Sequence, residues 1–318
     1  HFNRKKIRFI SDLRLVQNFG STIMIFVPTP TGGGEDIYDH TILSNLLFEL
    51  NELRLTSTDI IICCTIYPQY INDVGDVLLD KCTDCTLSYN PFFVALGNVV
   101  NGYKQADQIL IGADTIPVLS KIERINLYVN KNKDVVISKL TTLEAEITKL
   151  AINSYLCIKI AYANCIGDFA TRSSCKDVQP ILDAIGSDKR IGCEYFNYAD
   201  AYGGPCLPRD CIALSLNMKR KGVNPLLPMA ADAANKHHKE YVIMKYLQSN
   251  VKEVNIKSLT YKPDCKPPII EESSRLSIAE ALVYRGKEVT LEDRSSVLSE
   301  IKKKKGSYFT KRGWHLVG

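Results

Sequence analysis

The chain has 318 residues, 45% of them apolar and 24% charged, and carries a formal net charge of +5. That length holds two domains, or two and part of a third, each burying its own core. The mild, dispersed positive charge suits a small anionic ligand such as a pyrophosphate and excludes the dense basic footprint of a nucleic-acid binder.

The chain opens on His1, and residues 1–8 (HFNRKKIR) are basic without an apolar core. This reads as a truncated or processed end rather than a secretion signal. STIMIFV (21–27) and DIIICC (59–64) are short, β-branched apolar runs, the pattern of parallel strands buried on both faces. Residues 41–54 between them place apolar side chains at helical spacing. CTLSYN (85–90) and QILIGA (108–113) are further strand candidates with helical stretches around them, and this alternation indicates a doubly wound α/β sheet. Residues 142–170 read as one long helix without Pro or Gly until Gly167. Shorter helices follow at 176–186 and 207–219, then a second long one at 225–249 that takes Pro228 near its start. Strand character returns at 254–262 and 288–293, on either side of a helix at 273–285. Lys302 to Lys305, with Lys311 and Arg312 beyond, reads as a solvated tail. No apolar run reaches the roughly eighteen residues of a membrane-spanning helix.

Eleven cysteines, an odd number at no regular spacing, read as reduced thiols of a cytoplasmic protein, most of them small core residues. Cys82 and Cys85 in CTDC have metal or redox spacing. They stand without a second pair or a nearby His, whereas a structural zinc takes four ligands, so no metal is expected.

VPTPT (27–31) and CTIYP (64–68) follow apolar strands, and ligands of open α/β sheets collect at the carboxyl ends of strands, which places Thr29 and Thr65 to touch a cofactor. Both also fit ordinary turn residues. Lys149 and Asn153 share one helix face with Glu146 a turn earlier. Such a set can hold a hydroxyl or a carbonyl, and by spacing alone it equally describes an exposed Glu–Lys pair with a polar neighbour. In DAYGGPCLPRDC (200–211), Gly203 and Gly204 let backbone approach a ligand, while Pro205 and Pro208 set the entry into a helix. Cys206 then stands near a helix N-terminus, where the dipole favours thiolate, and Asp210 lies one turn on. Arg209 adds positive potential if it folds back. These features describe a reactive cysteine better than a core one. Lys262 in TYKPD sits at the end of a strand and, taken alone, reads as a surface lysine.

In order and spacing, VPTPT, CTIYP, NPFFVALGN (90–98), EAEITKLAINSYLCIKIAYAN (144–164), AIGSDKRIG (184–192), YGGPCLPRD (202–210) and TYKPD resemble the UDP-glucose/GDP-mannose dehydrogenase family over nearly the whole chain. The resemblance implies an α/β fold in three parts. These are a partial Rossmann NAD domain (1–140), a central all-helical dimerisation domain (141–250) and an incomplete UDP-sugar-binding Rossmann-like domain (251–318). It implies oxidation of a nucleotide sugar C6 alcohol to the carboxylate with NAD as cofactor, UDP-glucose being the expected substrate and GDP-mannose or another nucleotide sugar the alternative. The expected partner is a second copy of the chain through the central helices, with neither nucleic acid nor membrane.

The resemblance also implies residue roles. Cys206 would capture the aldehyde as a thiohemiacetal and then hold a thioester. Lys149 would stabilise oxyanions, Asn153 would hold the sugar, and Asp210 would act with a water as the base. Arg190, Tyr198, Tyr202, Gly203 and Lys262 would contact substrate, with residues 197–203 wrapping it. Pro28, Thr29 and Thr65 would contact the cofactor, Thr65 also belonging to the catalytic set.

Four departures bear on these expectations. The family's GxGxxG motif would precede the first residue, so poor NAD binding and no turnover are expected of this chain. Phe92 and Leu96 stand where the family carries Glu, and Ala201 stands where it often has Gly. Beyond Asp293 the pattern is no longer followed. A catalytically silent relative that keeps the helical core is the competing expectation.

Overall fold

Strands buried on both faces alternate their side chains between two cores, and the run at Ile60, Ile61 and Ile62 does so. All three are fully buried; Ile60 and Ile62 join one apolar cluster and Ile61 another. The computed structural model describes residues 9–18, 20–32, 37–94, 97–263, 265–309 and 314–317. The basic residues 1–8, Leu96, and Lys311 with Arg312 lie outside them. Two compact units divide the chain between Lys149 and Leu150, inside a helix.

The first unit contains β1 (Thr22–Ile25), α1 (Thr41–Glu52), β2 (Asp59–Ile62), α2 (Asp76–Leu78), β3 (Thr86–Tyr89), α3 (Val99–Lys104), β4 (Gln108–Gly112), α4 (Ile116–Val129), β5 (Val136–Leu140) and the start of α5 (Thr142–Arg172). The five strands form one sheet in the order β1-β2-β3-β4-β5. β1, β2 and β3 pair in parallel, with Ile23 opposite Ile60 and Ile60 opposite Leu87. Helix α1 covers one face through Leu43, Leu47 and Leu50, spaced as one helical stripe. Helix α4 covers the other through Val118 and Ile122, so the sheet is doubly wound as the periodicity predicts.

Two features of this unit escape the sequence pattern. β5 has no clear alternation, because as the last strand of the sheet its side chains are half-buried or exposed. β3 and β4 pair antiparallel through the single bridge Tyr89–Gly112. Where that ladder lapses, the buried Asn90 side chain donates to the Leu110 carbonyl at 2.8 Å and accepts from Asn126 on α4 at 2.8 Å. A sheet carbonyl that would otherwise be orphaned is thereby satisfied.

Glu146, on the first turns of α5, also departs from expectation. It is fully buried, and its carboxylate accepts from the Gln69 N–H at 2.6 Å and the Ile71 N–H at 3.1 Å. It therefore pins the segment that follows β2 rather than forming an exposed pair with Lys149.

The second unit holds the rest of α5, then α6 (Gln179–Gly186), α7 (Leu207–Arg220), α8 (Leu226–Gln248), β6 (Glu253–Lys257), α9 (Ser274–Tyr284), β7 (Glu288–Glu292), α10 (Ser295–Phe309) and β8 (Trp314–Val317). Helix α5 runs 31 residues, about 46 Å. Small side chains, Cys157, Ala161, Cys211 and Ala231, form the core of the helical block, with Tyr202 among them. β6, β7 and β8 form a parallel sheet in that order. Among the described residues no helix is long and apolar enough to cross a membrane.

The sequence reading stops at Asp293, yet α10 and β8 add a further helix and strand. Val297, Leu298 and Ile301 of α10 are buried in the core of the second sheet. The lysine run following Ile301 obscures that stripe. Lys302 to Lys305 are therefore helical rather than a loose tail: Lys304 pairs with Glu300 at 3.1 Å and Lys305 with Glu280. β6 ends at Lys257, so Lys262 lies in the loop beyond it and not at the strand end.

Burial raises the Glu146 carboxyl from 4.5 to about 7, partly offset by its two backbone hydrogen bonds. A folded-state pKa above the unfolded one means stability that is present below about 4.5 and is lost as pH rises through about 7. Urea midpoints of the wild-type chain should fall over that window, and Glu146→Gln should flatten the fall. Glu146→Ala should cost about 2 kcal/mol by leaving two N–H groups unpaired.

Candidate functional site

In the first unit, the residues past the carboxyl ends of β1 and β2 are joined directly. Thr29 Oγ1 donates to the Thr65 carbonyl at 2.9 Å, so the two threonines form one edge; both are half-buried and Pro28 beside them is exposed. Past β3, Phe92 stacks on Phe26 with centroids 5.6 Å apart and 12° between planes. It also meets Tyr103 edge-on at 4.7 Å. Where the family resemblance leads one to expect a carboxylate, this chain builds an aromatic stack. Lys149 is 6% exposed, and its Nζ lies 4.4 Å from the centroid of the Phe93 ring. A desolvated cation gains about 2 kcal/mol or more from a ring face. The sequence shows Phe93 but not that it faces Lys149.

In the second unit, α5 and α7 bring Asn153 and Asp210 together. The Asn153 amide donates to Asp210 Oδ2 at 2.6 Å, with Asp210 1% exposed. A hydrogen bond to a buried charged group contributes about 1.5–3 kcal/mol. Arg209 Nε lies 3.9 Å from Asp210 Oδ1, so the arginine turns toward that carboxylate. Cys206 is the N-cap residue of α7 and is exposed, while its carbonyl accepts from the Asp210 N–H at 2.8 Å. The thiol thus stands at the positive end of a 14-residue helix. Cys157 and Cys211 on the same helices are buried. The contact with Cys211, then burial, pushes the Cys157 thiol up; these two are core thiols.

The two glycines before Cys206 are closely packed within the chain. A Cβ on Gly203 would lie 2.1 Å from the Glu272 carbonyl oxygen, and one on Gly204 would lie 2.3 Å from the Tyr261 ring. Gly204 also has φ +84, a left-handed conformation that favours glycine. The room beside both residues is filled by the protein's own backbone and side chain.

The loop at 197–203 is fastened from two helices. Asn164 of α5 accepts from the Ala199 N–H at 3.0 Å. Asn235 of α8 accepts from the Tyr202 N–H at 2.8 Å and donates to the Tyr202 carbonyl at 3.0 Å. The His238 ring sits between Asp168, 2.9 Å from Nδ1, and the Ala199 carbonyl, 2.9 Å from Nε2. Tyr198 donates its hydroxyl to Asp168 at 2.9 Å. Tyr202 turns its ring into the core, where burial pushes its hydroxyl up. Arg190 is exposed and pairs with Asp188 at 2.6 Å. Lys262 is half-buried, with Nζ 5.6 Å from the Tyr261 centroid. Sequence reasoning missed Asn164, Asp168, Asn235 and His238. The one available signal was their helical spacing, with Asn164 and Asp168 one turn apart on α5 and Asn235 and His238 on one face of α8.

Cys82 and Cys85 are occupied by neighbours in the first unit. Cys82 donates to Asn51 Oδ1 at 3.7 Å and Cys85 to the Leu55 carbonyl at 3.5 Å.

A doubly wound sheet, a helical block and a second parallel sheet, in that chain order, define a Rossmann-like α/β protein with an exposed cysteine at a helix N-terminus. Residues 143–237 match the central domain of the UDP-glucose/GDP-mannose dehydrogenase family. A UDP-glucose 6-dehydrogenase of Rickettsia bellii is 28% identical over 247 residues, 76% of this chain and 55% of that protein. One of Rhizobium meliloti is 25% identical over 300 residues, 90% of this chain and 66% of that protein. The chain thus spans between about half and two thirds of these curated relatives. In fold it is similar to a UDP-glucose dehydrogenase from the archaeon Pyrobaculum islandicum, with a TM-score of 0.84 and 21% identity over 98% of this chain and 71% of that one.

Asn235 satisfies both backbone groups of a buried residue, so Asn235→Ala should cost about 2 kcal/mol. The Tyr202 amide should then lose its hydrogen-exchange protection before the α5 core does. Equal protection in the variant would show that the loop is held by other contacts.

Proposed function

We propose that this chain carries the thiol machinery of an NAD-dependent nucleotide-sugar 6-dehydrogenase, with UDP-glucose as substrate and Cys206 as nucleophile. The observation that carries the reading is Cys206 exposed at the N-terminus of α7, one turn before an Asp210 carboxylate held by Asn153. A thiolate at a helix N-terminus is stabilised by the dipole and attacks carbonyl carbon. Sγ would add to the C6 aldehyde to give a thiohemiacetal, and the oxidised adduct would be a thioester. Asp210 would take a proton from the water that releases the acid, and the Asn153 amide would keep that carboxylate oriented. Lys149, one turn before Asn153 on α5, would support oxyanion charge. Arg190, Tyr198, Tyr202, Gly203 and Lys262 are the proposed substrate contacts. Pro28, Thr29 and Thr65 at the strand ends fit the edge where a dinucleotide lies. A bound nicotinamide would supply the hydride acceptor for both oxidations.

Residues of the helical block support a homodimer. Tyr155, Tyr162 and Phe169 recur at seven-residue intervals along α5 and are exposed, as are Leu226 and Leu227 at the start of α8. A second copy packed on the central helices would cover them. Phe169→Lys with Tyr162→Glu should shift the sedimentation of the protein from dimer to monomer; an unchanged dimer would place the interface elsewhere.

Phe92 favours a second reading, a relative that keeps this architecture without turnover, since an aromatic stack occupies the place of an expected carboxylate. A panel of nucleotide sugars with NAD⁺, run on the complete protein and followed at the nicotinamide absorbance, separates the two. The dehydrogenase reading expects two NAD⁺ reduced per UDP-glucose and no acid released by Cys206→Ser. Full activity in that variant would sink the mechanism. Absence of reduction with every sugar would establish the silent relative.

A further inference from the structure

The turn that presents Cys206 is packed against the loop that follows β6. Tyr261 lies on Gly204 so closely that a Cβ there would meet Cδ2 at 2.3 Å, and the Glu272 carbonyl occupies the matching space at Gly203. That loop is braced in turn. The Leu259 N–H donates to Asp293 Oδ2 beyond β7 at 2.6 Å, and the Tyr261 N–H donates to the Ile269 carbonyl at 3.0 Å. The ring therefore rests on a support tied to the second sheet. On the other side, Pro205 and Pro208 restrict the chain where it enters α7. The backbone freedom left to the segment is concentrated at Gly203 and Gly204, the residues that Glu272 and Tyr261 cover. Burial, then Cys265 and more weakly Cys206, pushes the Tyr261 hydroxyl up to about 12.

We propose that Tyr261 is a positioning residue for Cys206: its ring, seated on Gly204, holds the turn so that the thiol stays at the first turn of α7, and the β6 loop thereby sets thiol reactivity. This deepens the proposed role of Cys206 as nucleophile. It is read on the thiol alone, with neither nicotinamide nor sugar nucleotide present, so loss of the dehydrogenase reading leaves it standing or falling on its own measurement.

The test is the rate at which iodoacetamide alkylates the Cys206 peptide of the intact protein, followed by mass spectrometry across a pH series. Cys157 and Cys211 in the same digest report whether the core stays closed. Tyr261→Ala should slow alkylation at neutral pH by roughly twofold to fivefold, the span of a helix-terminus interaction, and move the midpoint of the pH profile upward. Tyr261→Phe should restore both, because the flat face and not the hydroxyl rests on Gly204. Gly204→Ala should slow alkylation in the wild-type background, and less so once Tyr261→Ala has removed the clashing ring. If Tyr261→Ala exposes Cys157 and Cys211, the comparison passes to Tyr261→Leu. A folded variant without the ring that alkylates at the wild-type rate and midpoint overturns the proposal. So does a Tyr261→Phe as slow as Tyr261→Ala, or loss of core protection in both truncated variants.

Discussion

Helix α5 runs unbroken for 31 residues and carries a succession of polar side chains that are buried or half-buried. Because a buried polar group without a partner costs about 1–3 kcal/mol, each one commits a neighbouring segment to a place. Within the first unit Glu146 takes the N–H groups of Gln69 and Ile71. Within the second, Asn153 takes Asp210, Asn164 takes Ala199 and Asp168 takes Tyr198 and His238. Within the second unit the first turn of α7 and the loop before it are thereby both referred to α5.

That arrangement separates one cysteine from its neighbours. Cys157 and Cys211 fill the space between close-packed helices, where sulfur serves as a small apolar atom. Cys206 is set outside that core at the end of α7, by a turn whose conformation depends on two glycines and on what packs over them. Reactivity in a thiol follows exposure and nearby positive potential. At Cys206 the exposure and the helix end are set by a few residues of backbone path.

Phe92 stands where the resemblance to the dehydrogenase family leads one to expect a carboxylate. A carboxylate past β3 would stand in water or against a ligand, whereas Phe92 joins Phe26 and Tyr103 in a stack and packs partly against the core cluster around Ile61. The exchange replaces a group that takes protons with one that excludes water. It leaves the sheet intact and alters the chemistry available at its edge.

Much of the fold was legible because apolar periodicity reports burial directly. The isoleucine run at 60–62, the stripe at Leu43, Leu47 and Leu50, and the breaker-free stretch from Thr142 each follow from local side-chain spacing alone. GGPCLPRD likewise marked a thiol at a helix entrance. What spacing cannot carry is which distant group completes a buried polar atom or occupies the room beside a glycine. So Glu146 read as exposed, Lys262 as a strand end and the lysines of α10 as a tail. Residues 75 positions apart, such as Glu146 and Ile71, or 57 apart, such as Asn153 and Asp210, meet only after the helices have packed. The chain alone determined where most of its helices and strands, and the cysteine at the entrance of α7, would be. Tertiary structure decided what those elements face, because partners for buried polar groups are chosen by packing and not by neighbours in sequence.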